Sequence, residues 1–375
     1  MGFLHRLLAM IIKEGLQLRR DRLTFGMMFG IPIMQLILFG FAINNDPKGL
    51  PTAVLASDQS AMTRALVSAI GNTGYFSMNH SVSTEAEADS LLQRGAIQFV
   101  ITIPGDFTRH LIRHEKAQIV IEADATDPAT IGGALAAVNQ ATSQTLAREL
   151  GGPLAAYQQG PAPIDVLLHR RYNPEGITRF NVVPGLLGVI LTMTMVMMTA
   201  LAVTRERERG TMENLLAMPV RPIEVMVGKI APYILIGGIQ VLVILTAARI
   251  LFGVPFEGSV ALFAMATLLF ITVNLALGFT FSTIAQNQLQ AMQMSFFFLM
   301  PSILLSGFAF PFRGMPEWAQ AIGEVLPVTH FLRVVRALML KGASFDQIAG
   351  EIASLSLMLV IVAVIAVSRY RVTLD

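Results

Sequence analysis

Residues 205–219 read RERERGTMENLLAMP, and this stretch follows one apolar run that is long enough to cross a bilayer and precedes another. Its first five residues alternate in charge, and Gly210 can end the helix that arrives from the first run. Thr211 can cap a new helix, which Pro219 limits to about two turns. We predict a short cytoplasmic helix held between two membrane spans.

This short helix has one apolar side. Met212, Leu215 and Leu216 recur at the i, i+3, i+4 spacing that builds a stripe, whereas Glu213 and Asn214 face elsewhere. Such a helix can lie on a membrane surface or dock in a groove on another protein. For the alternating charges alone, anchoring of a helix end at the membrane interface is the simpler interpretation.

The composition is that of an integral membrane protein. Of 375 residues, 54% are hydrophobic and only 14% are charged, which is too apolar for a soluble globular protein of this length. The net charge of +2 is too small to indicate nucleic-acid binding, and the basic residues cluster at the ends of apolar runs. The sequence contains no cysteine, which excludes disulfides, thiolate metal sites and thiol nucleophiles.

Six apolar runs divide the chain, so we predict an α-helical polytopic membrane protein with six transmembrane helices. The predicted spans are residues 23–43, 182–203, 230–252, 260–281, 291–308 and 350–368. Residues 1–22 have apolar side chains at helical spacing and predict a cytoplasmic interfacial amphipathic helix. Residues 309–349 are punctuated by prolines and predict outer interfacial or re-entrant helices. A signal peptide is the competing interpretation of residues 23–43, but no clear small-x-small cleavage site follows them.

Residues 44–178 break the apolar pattern and have the size of one folded domain. β-like runs alternate with helix-like stretches here, which predicts an α/β exoplasmic domain between the first and second spans. The β-like runs are residues 52–56, 97–103 and 118–122, and the helix-like stretches are residues 62–70, 85–92, 107–113 and 131–150. Glu122, Asp124 and Asp127 could bind a cation. A solvated turn and helix cap is the simpler interpretation, because the glycine and terminal glutamate of a calcium loop are missing.

The distribution of basic residues predicts that both termini are cytoplasmic. Segments 1–22, 204–229 and 369–375 contain twelve Lys and Arg residues, whereas the outer segment 309–349 contains four. Six spans also return the tail, residues 369–375, to the side of the N-terminus. Segment 204–229, which contains the short amphipathic helix, is therefore predicted to face the cytoplasm.

The sequence carries no recognisable catalytic motif. No G-x-x-x-x-G-K-[ST] phosphate loop occurs, and Gly228-Lys229 lacks both the upstream glycine and the hydroxyl that would hold Mg²⁺. No G-x-S-x-G elbow or metal-ligand cluster is present, and the spans lack the chain of acids or histidines expected of a proton-coupled pump. We therefore predict that the chain is not an enzyme, that it has no catalytic, cofactor-binding or metal-binding residues, and that a partner must supply energy for any transport.

The stretch RERERGTMENLLAMP, followed by RPIEVMVGK at residues 221–229, resembles the cytoplasmic loop of ABC-2 type transporter permeases. The likeness extends over nearly the whole chain, including YNP at residues 172–174, VPG at residues 183–185 and LPVTHFLR at residues 326–333. It is greatest to the six-span bacterial subset with a large exoplasmic domain, which is thought to export drugs or small hydrophobic compounds. The resemblance implies a multi-pass protein of the bacterial inner membrane.

The resemblance also implies partners. A separate ABC ATPase subunit would bind the cytoplasmic face and use the ATP, so that this chain itself binds no cofactor. A second permease copy would complete the transporter, as a homodimer or a paralogous heterodimer. The resemblance also allows a periplasmic adaptor protein as a further partner. Membrane lipids would surround the spans, and no nucleic acid is expected.

Two groups of residues are candidates for function on the basis of this resemblance. The ATPase-coupling group consists of Arg205, Glu206, Glu208, Arg209, Thr211, Met212, Glu213, Leu215 and Leu216. The translocation-path group consists of Met193, Met197, Asn274, Phe296, Phe297 and Phe298. The Met and Phe residues could equally face lipid or pack internally, and for Asn274 a single hydrogen bond between helices is the simpler interpretation.

Two other functions are consistent with the same spans. A non-transporting membrane receptor or scaffold could use the exoplasmic domain to bind a ligand or adaptor and the inner helix to signal. An ion-coupled transporter would move its substrate in vesicles that lack any ATPase. Copurification with an ATPase favours ABC transport over both alternatives.

Overall fold

The computed structural model describes residues 47–113, 115–126, 130–149, 164–208 and 222–369. These residues form a region built on a β-sheet, followed by a region of long helices. The predicted N-terminal helix, residues 1–22, and the predicted first span, residues 23–43, lie outside the described residues, as do residues 370–375 of the predicted tail.

The sheet region has α-helices between its strands, which confirms the prediction of an α/β region. The strands are β1 (Leu50–Ala56), β2 (Phe76–Ser81), β3 (Phe99–Ile103), β4 (Ala117–Asp124) and β5 (Ile164–Arg171), and the helices are α1 (Ala61–Asn72), α2 (Glu85–Gln93), α3 (Phe107–Ile112) and α4 (Ile131–Glu149). The order across the sheet is β2-β1-β3-β4-β5. Strands β3 and β4 pair antiparallel, and the other neighbouring strands pair parallel.

The central strand β3 is buried on both faces of the sheet. Phe99 and Ile101 belong to a core that contains Leu66 of α1, whereas Val100, between them, belongs to a core that contains Leu92 of α2. Successive side chains of a strand point to opposite faces, so helices cover both faces of this sheet.

Seven α-helices follow the sheet region within the described residues. They are α5 (Thr178–Glu208), α6 (Pro222–Phe252), α7 (Val260–Ile284), α8 (Gln288–Leu305), α9 (Glu317–Glu324), α10 (Pro327–Lys341) and α11 (Phe345–Arg369). Five of them, α5, α6, α7, α8 and α11, are long and apolar enough to cross a membrane. The chain is therefore a mostly helical, polytopic membrane protein. The predicted first span, residues 23–43, would bring the number of spans to six and stays a prediction.

The helices begin and end at different residues from the predicted apolar runs. Helix α5 continues to Glu208 and α6 begins at Pro222, so both extend into the predicted segment 204–229. Helix α8 ends at Leu305 rather than at residue 308, and α11 begins at Phe345 rather than at residue 350. Hydropathy marks the part of a helix that lies in lipid, whereas the hydrogen-bonded helix continues wherever helix-forming residues such as Glu and Arg allow it.

Helix α7 lies inside the helical region and packs against α5, α10 and α11. Its Phe270 ring stacks on the ring of Phe331 in α10, with ring centroids 4.0 Å apart. Gly278 lets α5 approach closely, because a Cβ atom there would lie 2.4 Å from the carbonyl oxygen of Val196. The small residue is therefore required by this helix crossing.

Residues 309–349 contain a short 3₁₀ turn at Phe312–Gly314 and the helices α9 and α10. Helix α10 is buried over much of its length: Phe331 and Val335 are completely buried, and the helix packs against α5, α7 and α11. Helix α10 is thus part of the helical core.

Candidate functional site

The candidate coupling group begins at the end of α5. Arg205 and Glu208 are exposed there, and Glu208 accepts two hydrogen bonds from Gln288, the first residue of α8. The backbone nitrogen of Gln288 lies 2.7 Å from Oε1 of Glu208, and its Nε2 lies 2.5 Å from Oε2. These side-chain and backbone hydrogen bonds lower the pKa of Glu208, so its carboxylate stays ionised at neutral pH. We call this pair the α5–α8 clamp.

The start of α8 explains why the clamp forms. The first N–H groups of a helix have no partner within the helix, and the helix dipole places partial positive charge there. Oδ1 of Asn287 accepts a hydrogen bond from the backbone nitrogen of Gln290 at 2.9 Å and so caps α8. The backbone N–H of Gln288 has no partner within the helix, and the Glu208 carboxylate accepts a hydrogen bond from it. The end of α5 is therefore tied to the start of α8.

Of the remaining coupling candidates, one belongs to a described helix and six lie outside the described residues. Glu206 belongs to α5, and Arg209, Thr211, Met212, Glu213, Leu215 and Leu216 lie outside the described residues. Of the coupling group, the structure places Arg205 and Glu208 at the end of α5, where both are exposed. The apolar stripe stays a prediction.

Five of the six translocation-path candidates lie on α5 and α8, which pack against each other. Met193, Phe296 and Phe297 are exposed on these helices. Met197 and Phe298 are half-buried, and Phe298 packs against the helical core. The clamp therefore joins the two helices that carry the apolar candidates.

Asn274, the sixth candidate, is fully buried in α7. Its Nδ2 donates a hydrogen bond to the carbonyl oxygen of Phe270 in the same helix at 2.9 Å, and its Oδ1 has no hydrogen-bond partner among the described residues. Among the described residues Asn274 thus makes its hydrogen bond within its own helix, and the predicted hydrogen bond between helices stays a prediction. Thr194 of α5 makes such a link instead, because its Oγ1 donates to Oε1 of Gln240 in α6 at 2.9 Å.

A polar cluster around the buried ring of His330, which no motif revealed, joins α9, α10 and α11. Nδ1 of His330 lies 2.5 Å from Oε2 of Glu351, and Nε2 lies 2.8 Å from the carbonyl oxygen of Glu324. Arg333 donates to Oε1 of Glu324 at 2.5 Å and to Oε1 of Glu351 at 3.3 Å. We call these four residues the His330 cluster.

The His330 cluster favours the charged imidazolium. Both ring nitrogens face acceptor atoms, and a carbonyl oxygen can only accept, so Nε2 carries a proton. Burial would lower the pKa of His330, but the hydrogen bonds to the Glu351 carboxylate and the Glu324 carbonyl outweigh it and raise the pKa above its ordinary value. Burial would likewise lower the pKa of Arg333, and the two carboxylates raise it. Two cations and two acids thus stabilise one another.

A second ionic contact ties the helical region to the sheet region. Nζ of Lys341, the last residue of α10, lies 2.5 Å from Oδ2 of Asp124, the last residue of β4. The ammonium also donates to the carbonyl oxygen of Leu92 at 3.3 Å and lies over the Tyr172 ring. Oδ1 of Asp124 accepts hydrogen bonds from the backbone and the hydroxyl of Thr126. The solvated turn predicted for Asp124 is therefore wrong, because this carboxylate is buried.

The contacts of Glu122 and Asp124 differ from those of a cation site, and Asp127 lies outside the described residues. Glu122 contacts His169 at 3.2 Å and Arg171 at 3.8 Å, which are basic partners rather than co-ligands. Within the described ranges, no group of three His, Asp or Glu side chains is arranged to hold a metal ion.

Comparisons with known proteins cover nearly the whole chain. A family model described as "ABC-2 family transporter protein" matches residues 22–368. The chain is 29% identical over 342 residues to "Probable multidrug ABC transporter permease YbhS" of Escherichia coli (strain K12), which covers 90% of this chain and 89% of that protein. It is 27% identical over 349 residues to "Probable multidrug ABC transporter permease YbhR" of the same strain, with 91% and 92% covered. It is 30% identical over 338 residues to "Inner membrane transport permease YhhJ" of that strain, with 86% of each chain covered.

Proposed function

The chain belongs to the ABC-2 family of transporter proteins, and from this membership we propose that it is the membrane-spanning permease subunit of an ATP-driven exporter. The family match over residues 22–368 carries the proposal, because it includes the sheet region and all five described candidate spans. The names of the relatives, which are transport permeases, support the same role.

In this proposal a separate ABC ATPase subunit supplies the energy, and this chain binds neither ATP nor another cofactor. The sequence has no phosphate loop that could hold a nucleotide. The ATPase docks on the coupling group at the cytoplasmic end of α5. The apolar stripe of Met212, Leu215 and Leu216 is the surface that it contacts.

The α5–α8 clamp offers a route from the ATPase to the spans. A conformational change is transmitted only where contacts differ between two states. The coupling stretch continues directly from α5, and Glu208 joins α5 to α8 through Gln288. Helix α5 carries Met193 and α8 carries Phe296, so a displacement of the clamp moves both apolar surfaces together.

The proposed cargo is a small hydrophobic or amphipathic compound, drug-like or lipid-like, that moves outward. Met193, Phe296 and Phe297 offer exposed apolar and adaptable contacts, without charge. We place a second permease copy against these helices, as a homodimer or paralogous heterodimer, with the cargo passing between the copies. The word "multidrug" in the names of YbhS and YbhR supports this class of cargo.

The proposed location is the bacterial inner membrane, with both termini in the cytoplasm and the sheet region outside. The twelve Lys and Arg residues of segments 1–22, 204–229 and 369–375 support this orientation. An outer sheet region could contact a periplasmic adaptor or the cargo itself. Membrane lipids surround the spans.

Transport into inverted membrane vesicles tests the proposal. The chain is coexpressed with the ATPase that copurifies with it, and accumulation of an amphipathic fluorescent dye is measured with and without ATP. We expect ATP-dependent accumulation. Glu208→Ala should lower it several-fold at an unchanged amount of inserted protein, because the variant breaks the α5–α8 clamp.

The matched control is Glu175→Ala, which removes an exposed carboxylate from the turn before α5 and should transport as the wild type does. Dye movement in vesicles that lack any ATPase would indicate ion coupling. Ligand binding by the sheet region without a nucleotide-dependent partner would indicate a receptor or scaffold. Either result overturns the proposal.

A further inference from the structure

A cleft of about 290 Å³ lies between the sheet region and the helical region. Arg94 and Asp124 line it from the sheet region, whereas Ser306, Arg313 and Ile348 line it from the helical region. Ser306 directly follows the candidate span α8, and Ile348 lies in the first turn of the candidate span α11. The cleft therefore lies at the ends of two apolar spans, and it approaches the size of a small-ligand pocket.

The walls of the cleft carry more positive than negative charge. Five Lys and Arg side chains and three Asp and Glu side chains line it. Each acid has a basic partner, because Asp124 pairs with Lys341 and both Glu324 and Glu351 contact Arg333. Five cations against three acids leave an excess of two positive charges for a ligand.

Arg94 and Arg313 can supply this excess, because neither forms an ion pair with any residue that the structure describes. Partial desolvation and the like charge of Arg333 lower the pKa of Arg313, and the Glu324 carboxylate offsets them only in part. An anion in the cleft would relieve this repulsion. Guanidinium groups recognise phosphate through two parallel hydrogen bonds, so the arginines favour a phosphate group.

A buried hydroxyl of the same cleft has no hydrogen-bond partner. Ser306 is 3% exposed, and its Oγ has no hydrogen-bond partner within the described part of the chain. A buried polar group without a partner costs free energy, and native structures contain few of them. The Ser306 hydroxyl can donate to an oxygen of a bound anion, which would remove this cost.

The cleft also has apolar walls. Phe312, Leu332 and Ile348 line it together with the charged residues. A small soluble anion needs no apolar wall, whereas the phosphate of a lipid lies where membrane spans leave the hydrocarbon. We propose that the cleft binds the phosphate headgroup of an anionic membrane lipid, with Arg94, Arg313 and Ser306 as its polar partners. The proposal does not depend on the transported cargo.

Native mass spectrometry of the purified full chain, titrated with phosphatidylglycerol in detergent, tests the site. We expect one retained phosphatidylglycerol per chain. The double variant Arg94→Gln, Arg313→Gln should weaken its binding by about tenfold or more, because it removes hydrogen bonds between charged groups. Ser306→Ala should weaken binding by roughly fivefold. Its thermal stability should not fall, since an unpartnered buried hydroxyl is removed.

The matched control is the double variant Arg109→Gln, Arg113→Gln, which removes the same charge from α3 and the residue that follows it, outside the cleft. It should bind phosphatidylglycerol as the wild type does. Displacement of the lipid by an equimolar amount of inorganic phosphate would assign the site to a soluble phosphate compound and overturn the lipid assignment. Equal binding by the wild type and the Arg94, Arg313 double variant, or an equal loss in the control, would overturn the site itself.

Discussion

Lys341 and Asp124 form an ion pair that joins the last residue of α10 to the last residue of β4. Their Nζ and Oδ2 atoms lie 2.5 Å apart, and the two side chains are 7% and 9% exposed. Because both charges are buried, each depends on the other for stabilisation. Residues 217 positions apart in the sequence thus hold the sheet region against the helical region.

The variant Lys341→Met should lower the free energy of unfolding by about 3–5 kcal/mol, because it leaves Asp124 buried without its counter-charge. The measurement is thermal unfolding in detergent, followed by circular dichroism. Addition of Asp124→Asn should recover part of the loss, since the uncompensated charge is then removed. A single variant as stable as the wild type would show that the ion pair does not hold the two regions together.

The variant Gly278→Ala should destabilise the crossing of α5 and α7. Its Cβ would lie 2.4 Å from the carbonyl oxygen of Val196, so the two helices must move apart at a cost of about 1–3 kcal/mol. Gly238→Ala in α6 is the matched control, because its added Cβ would meet no atom within 4 Å apart from the adjacent backbone of its own helix. The thermal midpoint in detergent should fall for Gly278→Ala alone. Equal midpoints for the two variants would contradict the close helix approach.

The stability of the protein should depend on the charge of His330. Its folded-state pKa is raised above the ordinary 6.5, so the charged form is favoured by folding. This stabilisation is complete below about pH 6.5 and is lost as the pH rises through the raised pKa. The thermal midpoint should therefore fall as the pH is raised above about 6.5. In His330→Gln the midpoint should fall less over the same pH range, because the contribution of the imidazolium is absent. Identical slopes in the wild type and the variant would exclude His330 as the cause.

The predicted coupling helix can be tested although it lies outside the described residues. Met212→Glu or Leu215→Glu places a charge on the predicted apolar stripe, which should uncouple ATP hydrolysis by the partner from dye transport. Asn214→Glu places the same charge on the other side of the helix and should leave coupling intact. Both activities are measured on the same reconstituted complex. Unchanged transport by Leu215→Glu, in protein that is inserted and dimeric, would refute the coupling role.

The strands of the sheet differ in how far local sequence predicts them. The β-like runs 52–56, 97–103 and 118–122 correspond to β1, β3 and β4, which are the three inner strands of the sheet. The missed strands, β2 and β5, are its two edges. The inner strands β1 and β3 are mostly apolar, and β4 has a buried apolar residue at every second position, whereas an edge strand such as FSMNHS in β2 mixes polar and apolar residues. The sequence pattern therefore predicts the centre of the sheet better than its edges.

For the functional side chains, too, the local sequence predicts the residue but not its distant contact partner. LPVTHFLR is visible as a motif, but the contact of its His330 with Glu351 depends on how α10 packs against α11. Asp124 is visible as an acidic residue of a turn, but its burial depends on Lys341 arriving from α10. Neither contact has a signal at short sequence separation.

The sequence by itself determined that this protein spans a membrane, that it contains an α/β region and that it resembles a transporter permease. Hydropathy, periodicity and motifs are properties of neighbouring residues, so they can be read from a linear chain. Only the tertiary structure decided that Glu208 holds α5 to α8, that the buried His330 contacts Glu351 and that Lys341 joins the two regions. A charged residue is stable in a protein interior only when packing places its partner beside it, and the packing of distant elements sets which partners meet.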